Sequence, residues 1–74
     1  MKFPNKIFTY KQSIISKFPK FLYALEKRDY SMLELYKKVE KDIDSPAEFV
    51  SILDFLFYLG KIELYMGGVL HYVA

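Results

Sequence analysis

The chain has 74 residues, enough for one small domain, and its composition (53 % hydrophobic, 14 aromatics, no cysteine, one histidine) rules out a disulfide scaffold and a disordered tail. No run approaches the roughly 18 apolar residues of a membrane span, and without cysteines or a signal peptide the chain is expected in a reducing cytoplasm. The net charge of +2 hides an asymmetry: residues 1–28 hold seven Lys/Arg against Glu26 alone, whereas residues 29–74 hold four Lys against eight acids.

Residues 1–12, MKFPNKIFTYKQ, carry Pro4 and no helical period, and are read as an extended basic arm preceding a domain over 13–74. From Ser13 to Lys27, Ile14, Ile15, Phe18, Phe21, Leu22 and Leu25 recur at helical spacing. Pro19 removes one intrahelical hydrogen bond there, so it either kinks this helix or marks a later start. Ser31 and Glu34 have the spacing of a capping box and predict a second helix to about Lys41. Ser45-Pro46-Ala47-Glu48 repeats that signal with proline at the first helical position, opening a third helix that ends at Gly60.

The last segment, KIELYMGGVLHYVA, reads as two short strands around Gly67-Gly68. With a two-residue turn, Ile62 faces Val73, Leu64 faces His71 and Met66 faces Val69, leaving Glu63, Tyr65, Leu70 and Tyr72 on the other face. Three helices followed by a hairpin give the fold class: α+β, mainly α, a winged helix whose C-terminal hairpin is the wing.

In a DNA-reading winged helix the third helix needs Arg, Lys, Asn or Gln near its start to reach base edges. Between Pro46 and Gly60 there is no Lys or Arg, and both charges, Glu48 and Asp54, are negative. Groove recognition by this helix is therefore not expected. Its apolar residues spread around most of the circumference, more than two helices and a hairpin can cover. Phe49, Phe55, Leu56, Phe57 and Tyr58, with Tyr65, Leu70 and Tyr72 of the wing, are the expected protein interface. Lys2, Lys6, Lys11, Lys17 and Lys20 are the candidate contacts to nucleic acid or to an acidic partner.

No catalytic, cofactor-binding or metal residues are assigned. His71 is the sole histidine and no cysteine exists. Asp29, Glu40, Asp42 and Asp44 crowd loops where carboxylates mostly cap helices. The three glycines have structural roles in a helix end and a turn. A non-enzyme is expected.

Pro4-Asn5-Lys6, the run Leu53-Asp54-Phe55-Leu56-Phe57-Tyr58-Leu59-Gly60-Lys61-Ile62 and the closing Gly68-Val69-Leu70-His71-Tyr72 resemble the small middle components of bacterial ABC three-component systems. Ser31-Met32-Leu33-Glu34-Leu35-Tyr36 occupies the place of that family's second-helix start. Pro19 departs from the uninterrupted first helix expected there. Such systems, the Lamassu-like anti-phage operons among them, combine an SMC/Rad50-like ATPase, an effector that is often a nuclease, and a small middle subunit. The resemblance implies an adaptor in such a defence complex, with ATPase and effector as partners. The basic arm (Lys2, Lys6, Lys11) is left to meet either DNA, indirectly or non-specifically, or an acidic partner surface. The rival expectation is a small DNA-binding regulator that uses the basic first 28 residues.

Overall fold

The computed structural model describes residues 5–73, and side chains from Lys11 onward. The elements are α1 (Asn5–Lys27), β1 (Tyr30–Ser31), α2 (Met32–Val39), a 3-10 turn (Glu40–Asp42), α3 (Pro46–Tyr58), β2 (Ile62–Tyr65) and β3 (Val69–Tyr72). Three helices and a small C-terminal sheet make the α+β, winged-helix-like arrangement the sequence predicts. The described part of the N-terminal segment differs from the expected extended arm, because α1 already begins at Asn5. The helix also runs through Pro19, which lies on its exposed side. There the carbonyl of Ile15, which loses its donor, can be hydrated, so the helix tolerates the proline.

Both predicted helix starts form. Ser31 Oγ accepts from the Glu34 N–H at 3.2 Å while Glu34 Oε1 accepts from the Ser31 N–H at 3.1 Å, a complete capping box on α2. That backbone hydrogen bond, helped by Arg28, holds the Glu34 carboxyl below the usual range. At the far end of α3 the Gly60 N–H reaches the Phe57 carbonyl at 3.0 Å and the Lys61 N–H that of Leu56 at 2.9 Å. With Gly60 at φ +73°, this is the Schellman closure that glycine makes easy.

The sheet order is β1-β3-β2, all antiparallel, so β3 is central. β1 has only two residues, too few for a periodicity argument, and the sequence did not predict it. The hairpin register is Ile62↔Tyr72, Glu63↔His71, Leu64↔Leu70 and Tyr65↔Val69, one residue off the predicted pairing. The cause is a three-residue connection: the Gly68 N–H donates to the Tyr65 carbonyl at 3.1 Å, and Met66 joins Gly67 and Gly68 outside the strands. A slip of one residue exchanges the faces of a strand. Leu70 is consequently buried beside Ile62 and Tyr72 leans on the core, while Tyr65 and His71 lie on the outer face.

The core is a single cluster. Ile14, Phe21, Ala24 and Leu25 of α1 meet Leu35 and Val39 of α2, Phe49, Ile52, Leu53 and Leu56 of α3, and Tyr30, Ile62 and Leu70 of the sheet. Phe49 is held between two rings, Phe21 at 5.6 Å and Tyr36 edge-on at 5.1 Å.

Candidate protein interface

The side chains of α3 divide between two sides. Glu48, Phe49, Ile52, Leu53 and Leu56 are buried, and together they occupy less than half of the helical circumference, about 140° at 3.6 residues per turn. The other side presents Ala47, Val50, Asp54, Phe55 and Tyr58 to solvent. Val50, Asp54 and Tyr58 are four residues apart, hence one stripe along the helix. Val50 is 53 % exposed and Tyr58 86 %. Phe55 borders that stripe, its ring 6.3 Å from Phe18 of α1. Asp54, Phe55 and Tyr58 line a shallow open depression. Leu59, just past the helix end, is also exposed.

This placement narrows the predicted interface. Phe49, Leu56 and Leu70 belong to the chain's own core and are corrections to the expected surface set. Phe57 and Tyr72 are half-buried against that core. Phe55, Tyr58 and Tyr65 remain at the surface. Val50, Leu59, Leu64 and Met66 were not singled out, yet each is more than half exposed. The polar stripe of Asp54 and Tyr58 carried the signal for Val50, since the residue four positions before Asp54 must share its side. Met66 depends on the wing register, which a Gly-Gly turn misassigned by one residue.

Glu48 is a larger correction. The sequence offers it as the box partner of Ser45, but it is 3 % exposed and the only buried charged side chain among the described residues. Ser45 Oγ accepts from the Glu48 N–H at 3.2 Å, as expected of a cap. The Glu48 carboxylate does not return to the Ser45 N–H. Its Oε1 accepts from Lys17 Nζ at 2.5 Å and from the Asp44 N–H at 2.9 Å, and its Oε2 lies 3.5 Å from Ser13 Oγ. Burial alone would push this carboxyl up; the hydrogen bonds from Lys17 and the Asp44 N–H outweigh it and hold it below its ordinary value. Burial would likewise lower Lys17, but Glu48 and Asp44 together raise it.

The basic residues are correspondingly less available than their number suggests. Lys17 belongs to the Glu48 cluster and lies 3.6 Å from Asp44. Lys20 is 3.5 Å from Asp42. Lys11 is exposed. Lys2 lies outside the described residues, as does the side chain of Lys6. His71 is engaged as well: its Nδ1 is 2.8 Å from Asp29 Oδ1, and the Tyr65 ring stacks on the imidazole at 4.8 Å. This contact ties the wing to the segment entering β1.

Among the described residues no helix is long and apolar enough to cross a membrane, and no group of three or more His, Cys, Asp or Glu side chains converges. Comparison with curated proteins and with solved structures returns no match. Comparison with protein families does: the model of the ABC-three component (ABC-3C) system Middle Component 7 matches residues 3–70. That match spans the three helices, β1, β2 and the first half of β3, with the exposed stripe of α3, and the chain belongs to this family of middle components.

Proposed function

We propose that the chain is a non-catalytic adaptor that docks through the outer side of α3 onto a partner subunit of its complex, an SMC/Rad50-like ABC ATPase serving, with an effector, in anti-phage defence. One observation carries the reading. The helix that would read bases in a DNA-binding winged helix instead keeps Val50, Phe55 and Tyr58 in water, with Asp54 as the sole charge among them. Exposed aromatic and aliphatic side chains around one charge suit a protein groove and repel a phosphate backbone. Membership of a middle-component family supports the existence of partner subunits. The ATPase, the effector and the defence role rest on the wider resemblance to ABC three-component systems. The engagement of Lys17 and Lys20 by carboxylates weakens the regulator alternative.

The test is co-expression of the tagged chain with its neighbouring genes, followed by affinity capture and size-exclusion chromatography. The wild-type chain is expected to co-elute with the ATPase, and a Val50→Lys/Tyr58→Lys variant is expected to elute alone with unchanged circular dichroism. A wild-type chain that elutes without either neighbour, or a double variant that still co-elutes, overturns the reading.

A further inference from the structure

β2 is an edge strand, with β3 on one side and no strand of the described residues on the other. The Val73 N–H donates to the Lys61 carbonyl at 2.8 Å, which fixes the alternation of the ladder. The pairs Lys61/Val73, Glu63/His71 and Tyr65/Val69 bond inward, so the N–H and C=O of Ile62 and Leu64 point to the free edge. Such a row is a template for one more strand.

The side chains along that edge state what the strand must carry. Lys61 and Glu63 are exposed on the outer face and Ile62 is buried on the inner one. An antiparallel strand therefore needs an acid opposite Lys61, an apolar residue opposite Ile62 and a base opposite Glu63. Read in reverse, the sequence Lys61-Ile62-Glu63 supplies that order itself. We propose that the edge of β2 pairs with the same edge of a second copy of this chain, about a two-fold axis at Ile62. Lys61 of each copy then lies opposite Glu63 of the other. The neighbouring two-fold registers are worse: centring on Glu63 opposes two carboxylates, and centring on Leu64 sets Glu63 against Tyr65 and leaves Lys61 without an acid. The proposal makes no use of the outer side of α3, so the adaptor reading and the dimer stand or fall separately.

A short edge contact belongs among weak interfaces. The full chain is examined by sedimentation equilibrium over a concentration series reaching about 1 mM, with Lys61→Glu, Glu63→Lys and the double exchange alongside. Wild-type protein is expected to move from monomer to dimer mass. Each single reversal turns two attractive cross-strand pairs into repulsive ones and raises the dissociation constant by roughly tenfold, and the double exchange restores it. In the wild-type chain the Ile62 amide also gains exchange protection as concentration rises, a readout independent of how the variants fold. Monomer mass throughout, single variants that associate like wild type, a double variant that fails to recover, or an Ile62 amide indifferent to concentration overturns the proposal.

Discussion

Glu48 joins three parts of the chain through one carboxylate. It receives hydrogen bonds from the Lys17 ammonium of α1 and from the Asp44 N–H before α3, while its own N–H is capped by Ser45. Replacing it with alanine leaves a largely buried ammonium facing only Asp44, 3.6 Å away and itself exposed. Glu48→Ala is therefore expected to destabilise the fold by about 2–3 kcal/mol, read from urea unfolding. The pH dependence follows from the directions of the shifts. The folded Glu48 carboxyl lies below its unfolded value, so its contribution is complete above the ordinary carboxylate range and is lost as pH falls through the lowered folded value. Lys17 lies above its unfolded value, so its contribution is complete below the ordinary lysine range and is lost as pH rises through the raised folded value. Unfolding free energy is thus expected to plateau between about pH 5 and 9 and to fall below about pH 4, with the acid loss diminished in Glu48→Gln. An acid limb of equal size in both proteins would remove Glu48 from this role.

The helices owe their ends to local chemistry and their lengths to packing. α2 and α3 were legible because Ser31, Glu34, Ser45, Pro46 and Gly60 are start and stop signals that act within one turn. Gly60 holds φ +73°, and a Cβ built there meets no atom within 4 Å. Gly60→Ala is accordingly expected to cost about 1–2 kcal/mol from backbone strain alone, measured by chemical denaturation. α1 was harder to read, since Pro19 is a strong local stop that packing overrides. Ile14 before it and Phe21, Ala24 and Leu25 after it all reach the one core, so the helix is held on both sides of the break. Pro19→Ala restores the hydrogen bond to the Ile15 carbonyl and is expected to stabilise by about 2 kcal/mol, part of the gain being offset by a freer unfolded chain. An unchanged or lowered stability would mean that the proline suits a bend the packing requires. In the wing the sequence located both strands but set the register one residue wrong. Whether Met66 joins the turn is decided by tertiary contacts, because Leu70 fits the core and His71 fits Asp29 only in the observed pairing.

For the whole molecule the question is how so apolar a third helix stays in solution. Its inner half is satisfied within the chain: Ile52, Leu53 and Leu56 are at most 1 % exposed and meet residues of both other helices and the sheet. A core closed in this way makes the isolated chain a folding unit, with an expected unfolding free energy of about 5 kcal/mol and a single cooperative transition. The outer half contributes little to that figure, since Val50 and Tyr58 touch water in the monomer. The two halves can therefore be separated in one thermal experiment. A partner that binds only the folded chain, present at a hundred times its dissociation constant, adds about 2.7 kcal/mol. For a domain of this size that raises Tm by roughly 10–20 °C. Tyr58→Lys is expected to keep its own Tm within about 2 °C of wild type, as exposed substitutions do, and to lose the rise when the partner is added. A variant that retains the full rise would move the docking surface away from α3. A variant that melts early by itself would show that Tyr58 supports the monomer, and the outer side of the helix would then belong to folding.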